Sequence, residues 1–209
     1  MQEWSKGYCY FDIPKKERDS AITHLLMVLA KSIKTLGLSE REIEMDGDVK
    51  IYLAHLLFAA ALPDYQGAVG KYVSADSSQV VKMINKTEDQ VIRYFIYKVN
   101  ADHLLVQLSV FKQLSQNSKA TNEPVNQDIK TAESYYERAA DFNKKIYKRK
   151  TSIGSVLEKL AKHFEIYQKI LELARKDFFY FSNEFSDIEF HRFCEELSHY
   201  EKEIGRAHV

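Results

Sequence analysis

TSIGSVLEKLAKHFEIYQKILELARKDFFYF, residues 151–181, decides the fold class. Ile153, Leu157, Leu160, Phe164, Tyr167, Leu171, Ala174 and Phe178 recur at steps of 4, 3, 4, 3, 4, 3 and 4. Steps that alternate between three and four keep side chains on one stripe of a helix but scatter them over both faces of a strand. The stretch therefore predicts one long helix opened by Thr151-Ser152. It would run about 43 Å at ~1.5 Å per residue.

The same period extends to both sides. Upstream, Ile129, Ala132, Tyr136, Ala139, Asn143 and Ile146 step by 3, 4, 3, 4 and 3. Downstream, Phe190, Phe193, Leu197, Tyr200 and Ile204 step by 3, 4, 3 and 4. Three such helices with short connections predict an up-down-up bundle over 127–205 with a long middle helix. SQNSKATNEPVN, residues 115–126, is polar and aperiodic and reads as a linker. Residues 1–114 then form a separate part of irregular helices, unless both parts share one core. The whole is an all-α, multi-helix bundle.

Within that first part, Ile22, Leu26, Leu29, Ile33 and Leu36 form a helical stripe, and Gly37 is a natural stop. Ser39 and Glu42 have capping-box spacing and predict a short helix through Met45. Asp46-Gly47-Asp48 reads as a turn. Residues 49–62 read as a central helix, apolar on most sides, and 64–73 as a weak helix or loop. Ser74 to Ser78 offers helix caps. Residues 91–111 admit two readings. VIRYFIYKV and LLVQLSVF are rich in β-branched and aromatic residues, as a hairpin would be. The favoured reading is two helices, with Thr87 and Gln90 as a first capping box and Asn100 or Asp102 as a second cap.

Composition bounds the function classes. Hydrophobic residues make up 45% and charged residues 29%, which suits a globular core. Seven Gly and three Pro are few for the many tight turns of an all-β chain. Thirty basic residues face thirty acidic ones, so no overall field draws nucleic acid, and that partner is disfavoured. The longest apolar run, Leu53 to Leu62, is half the ~20 residues of a membrane span. Cys9 and Cys194 form no framework, and MQEWSKGYCYF has no signal-peptide pattern, so a cytoplasmic location is expected.

Three constellations are candidates for function. The first is HRFCEELSH, residues 191–199, where His191, Glu195 and His199 are candidate metal ligands. His191-x-x-x-Glu195 resembles a fragment of a hemerythrin-like site, and Glu196-x-x-His199 resembles a fragment of a ferritin-like site. Each resemblance covers four or five residues and implies a second motif on another helix, which the sequence lacks. A solvated polar face opposite Phe190, Phe193 and Leu197 is the favoured reading of these residues. The second is KKIYKRK, where Lys144, Lys145, Lys148, Arg149 and Lys150 put five basic residues in seven. Basic residues at a helix end oppose its negative pole, and Glu195, Glu196, Glu201 and Glu203 are expected to neutralise the cluster. The third is FFYF: Phe178, Phe179, Tyr180 and Phe181 point all around a helix, so one core cannot bury them all.

Asn143 sits at an apolar-repeat position and reads either as a register-fixing buried amide or as part of a wet seam. GAVGK, residues 67–71, lacks P-loop spacing, and the acidic run from Glu44 lacks the glycine and glutamate of a calcium loop. No catalytic constellation and no cofactor is expected. The sequence predicts a non-enzymatic interaction or scaffold protein that forms a homo-oligomer, a dimer first. A metal- or ligand-binding bundle is the alternative, and a nucleic-acid binder using residues 144–150 is the third reading.

Overall fold

A computed structural model of the protein describes residues 15–60, 63–110 and 123–179, and every regular element among them is an α-helix. The first five are α1 (Lys15–Thr35), α2 (Gly47–Ala60), α3 (Pro63–Gly70), α4 (Ser77–Asn85) and α5 (Gln90–Ser109). Then come α6 (Glu123–Tyr147), α7 (Ser152–Lys162) and α8 (Phe164–Phe179). The region 190–204, where a last helix is expected, lies outside the described residues.

α1 buries Ile22, Leu25, Val28, Leu29 and Ile33, while Leu36 lies at its exposed end. The helix stops where Gly37 takes a left-handed φ of 65°. There Gly37 N–H donates to Lys34 O at 3.1 Å and Leu38 N–H to Ile33 O at 3.2 Å, satisfying two terminal carbonyls. The short helix expected through Met45 is instead a run of turns. It closes because Glu44 adopts a left-handed φ of 52° and Met45 N–H returns to Glu40 O at 2.8 Å. Asp46 begins a helix rather than a turn, since its Oδ1 accepts from Val49 N–H at 3.1 Å. α2 is apolar on nearly every side and is accordingly central, with Val49, Tyr52, Leu53, Leu56 and Phe58 buried.

Residues 91–111 correct the expectation most clearly. Gln90–Ser109 is one continuous helix, neither a hairpin nor a pair of helices. Asp89 caps it through its Oδ1, which accepts from Val91 N–H at 2.8 Å. Asn100 and Asp102 are not caps but buried mid-helix residues.

The long middle helix is also corrected. It breaks at His163, whose backbone (φ −120°, ψ 25°) leaves the helical region. The apolar repeat runs straight through the break, and Leu160, Phe164 and Tyr167 are all buried. The break lets the two halves serve different neighbours. α7 packs on α6 and α2, whereas α8 packs on α1 and α5. α5 and α6 form the most extensive helix pair. One buried cluster runs through both parts of the chain, from Leu29 and Leu53 through Leu105 and Tyr136 to Leu157 and Leu171.

Candidate functional site

α5 carries Lys98 and Asp102 four residues apart, hence on one face. That face looks inward. Lys98 Nζ donates to Asp102 Oδ2 at 2.7 Å, with side-chain exposures of 7% and 2%. The other carboxylate oxygen accepts two phenols. Tyr52 OH, from α2, donates to Asp102 Oδ1 at 2.6 Å, and Tyr136 OH, from α6, donates to it at 2.8 Å. Lys98 Nζ also lies 5.2 Å from the centroid of the Tyr52 ring. An ionised carboxylate is a pure acceptor, and three donors converge on this one. Burial pushes the Tyr52 phenol well above its ordinary 10.0, and the neighbouring Asp102 charge adds to the shift, so Tyr52 remains a donor.

Asn100, on the turn between them, ties in the α3–α4 connection. Its Nδ2 donates to Tyr72 O at 2.7 Å and to Ile96 O at 2.8 Å, while its Oδ1 accepts from Ser74 N–H at 3.0 Å. The turn Lys98–Asp102 thus joins α2, α6 and the α3–α4 connection to α5. Chemically the hub is a neutralised, hydrogen-bonded ion pair enclosed by helices, suited to fixing their order. The sequence pattern suggests Asn100 or Asp102 as a cap and does not single out Lys98. The available signal was the i, i+4 Lys–Asp pair set inside an apolar run.

A second polar centre lies at the helix break. Lys159 is ion-paired with Asp46, Lys162 Nζ lies 2.8 Å from Glu44 Oε1, and His163 Nε2 lies 3.5 Å from Glu44 Oε2. Tyr167 OH donates to Ile43 O at 2.6 Å. The α7–α8 junction therefore clasps the α1–α2 connection. The Lys162 hydrogen bond is the main cause of a lowered Glu44 pKa. For Asp46, burial raises the carboxyl, but Lys159 and the Val49 and Asp48 amides outweigh it, so the net shift is downward.

At the α6–α7 corner Asn143 is buried. Thr151 Oγ1 donates to Asn143 Oδ1 at 2.5 Å and accepts from Gly154 N–H at 3.0 Å, capping α7. A Cβ on Gly154 would stand 2.9 Å from Asn143 Oδ1, so glycine permits the approach. Lys144 and Lys145 lie in the last turn of α6, and Lys148, Arg149 and Lys150 form the connection to α7. All five are exposed. Lys150 Nζ pairs with Glu158 Oε2 at 2.7 Å. The glutamates of the final segment that were expected to neutralise this cluster lie outside the described residues.

The remaining candidates are placed in part or not at all. Phe178 and Phe179 end α8. Tyr180, Phe181, His191, Glu195 and His199 lie outside the described residues. Among the described residues no group of three or more His, Cys, Asp or Glu is placed to hold a metal ion. No helix among them is long and apolar enough to cross a membrane. Comparison with protein-family models, curated proteins and solved structures finds no match.

Proposed function

We propose that the protein is a non-enzymatic interaction or scaffold module that works as a homodimer. The observation that carries this reading is the enclosure of the Lys98–Asp102–Tyr52–Tyr136 hub. Its convergent charged and hydroxyl groups face one another in the core, where they hold helices together. Long amphipathic helices fixed in this way suit a rigid platform. The aromatic run Phe178–Phe181 supplies the apolar contact between copies.

Light scattering at micromolar concentration tests the reading and is expected to give twice the chain mass of 24.4 kDa. Phe181→Asp should shift the mass toward monomer, and Glu172→Lys should not, because a carboxylate placed in an apolar contact is costly. A monomer mass for the native chain would end the dimer proposal. Near-stoichiometric metal in untagged protein, lost in His191→Ala, would replace the scaffold reading with a metalloprotein.

A further inference from the structure

The α6–α7 corner carries more positive charge than its place in the fold requires. The C-terminal end of a helix is equivalent to roughly half a negative charge. Five exposed cations surround the end of α6, and within the described residues Glu158 pairs with one of them, Lys150. Helix stabilisation therefore accounts for a minor share of the cluster.

Aromatic rings lie among these cations. Tyr147, the last residue of α6, is 48% exposed between Lys145 and Lys148. About one and a half turns earlier, Phe142 stacks on Tyr97 of α5 with centroids 5.9 Å apart and planes 24° apart. Lys145 Nζ lies 5.1 Å from the Phe142 centroid. Both stacked rings are half-buried, so each keeps part of its surface at the boundary with solvent.

We propose that this corner, centred on Tyr147 and Lys144, Lys145, Lys148 and Arg149, docks single-stranded nucleic acid. The proposal goes beyond the scaffold reading and does not depend on it. Lysines and arginine neutralise phosphates, and an exposed ring offers a face to an unpaired base. The alternation of cation and ring separates this partner from the other polyanions. An acidic peptide would use the charges and have no need of the ring. A membrane surface is held best when apolar side chains insert beside the charges, and among the described residues Tyr147 is the large hydrophobic residue that the corner exposes. A duplex hides its base faces from Tyr147. Net neutrality is no obstacle, because screening makes a local patch act within about 10 Å at ~0.1 M salt.

The test uses the full chain and a fluorescein-labelled thymidine dodecamer, read by fluorescence anisotropy at about 50 mM salt. Binding is expected to weaken with added salt at a log–log slope of about −2, as for three phosphates on a single strand. The double variant K148E/R149E should bind at least about ten-fold more weakly, since two phosphate contacts become repulsive. Tyr147→Ala should weaken binding about five-fold or more and leave the salt slope unchanged, the mark of lost stacking. Glu158→Gln, which releases Lys150, should tighten binding, and a gain of this kind cannot come from misfolding. Circular dichroism of each variant establishes that helix content is retained. Light scattering of K148E/R149E separates the two proposals, since the mass should match that of the native chain. The inference is overturned by an absence of binding at low salt, or by equal binding in K148E/R149E. It is likewise overturned by an unaltered affinity in Tyr147→Ala, or by competition from polyglutamate, a DNA duplex or phosphatidylserine vesicles as effective as from unlabelled dodecamer.

Discussion

The hub around Asp102 and the clasp around Glu44 and Asp46 are built from the same parts. Each joins lysine to carboxylate, adds a tyrosine hydroxyl, and ties the first part of the chain to the second. They differ in surroundings. Lys98 and Asp102 are sealed among α2, α5 and α6, whereas the Asp46 side chain is 51% exposed and Lys162 61% exposed. Two unit charges about 4 Å apart attract by ~1 kcal/mol in water and by ~4 kcal/mol at an effective dielectric constant near 20. The hub is also the place where losing one partner strands another in a site that water does not reach. The difference teaches that such a centre is valued by what its removal leaves behind, and the bond inventory alone does not reveal that.

The sharpest way to break the comparison is Asp102→Ala. It leaves Lys98 buried without its carboxylate and two phenols without their acceptor, and should cost about 3–5 kcal/mol in urea unfolding. Replacing both charges by apolar residues, as in K98M/D102L, should recover much of that loss, since the stranded ammonium is gone. A loss below ~1 kcal/mol for Asp102→Ala would put the hub on the same footing as the clasp.

Alkaline pH provides the next largest effect. Burial holds the Tyr52 phenol well above 10.0 in the folded chain, and burial likewise raises Tyr167. A raised folded pKa means that the native state holds its proton more tightly than the unfolded state does. The corresponding stability is therefore complete below pH ~10 and is lost as pH rises toward the folded value, by about 1.4 kcal/mol per pH unit for each such phenol. Urea midpoints measured across this range should fall with that slope, and Tyr52→Phe should flatten the fall. An unchanged slope in that variant would mean that Tyr52 is not the group responsible.

Smaller effects are expected at the clasp. Tyr167→Phe removes one hydrogen bond to Ile43 O and should cost about 1 kcal/mol. Lys159→Ala should cost less than ~1 kcal/mol, and the difference from native protein should shrink in high salt, because its carboxylate partner stands half in solvent. A salt-insensitive loss as large as that of Asp102→Ala would show the clasp to be desolvated in solution.

The sequence made one part of this contrast readable and hid the other. Periodicity identified α1 and α6, because a stripe at steps of three and four is what burial on one face demands. It failed at residues 91–111 because α5 is covered from several sides. Tyr94, Phe95 and Ile96 then occupy consecutive positions, and no stripe stands out from the β-branched composition. Asn100 and Asp102 have the residue types of caps, and only the neighbouring helices reveal what their side chains meet. The break at His163 was hidden for the opposite reason. The apolar repeat continues through it, since Leu160 and Phe164 remain buried on either side. What turns the backbone there coincides with a set of contacts to residues 43–46, more than a hundred positions earlier. A basic run was legible as composition, whereas its exposure and the half-buried stack beside it follow from how α5 and α6 pack.

The clasp also carries a consequence for synthesis. Tyr167 and Ile43 are 124 residues apart, so the hydrogen bond between them waits on the making of most of the chain. At ~5–20 residues per second, a nascent α1–α2 hairpin spends about 6–25 seconds before α8 is available to cover it. During that interval the faces of α1 and α2 that will meet α7 and α8 have no final partner. A chain stalled before residue 164 would therefore present apolar helices to the surrounding cell, making the newborn protein a client for holding chaperones until its last third emerges.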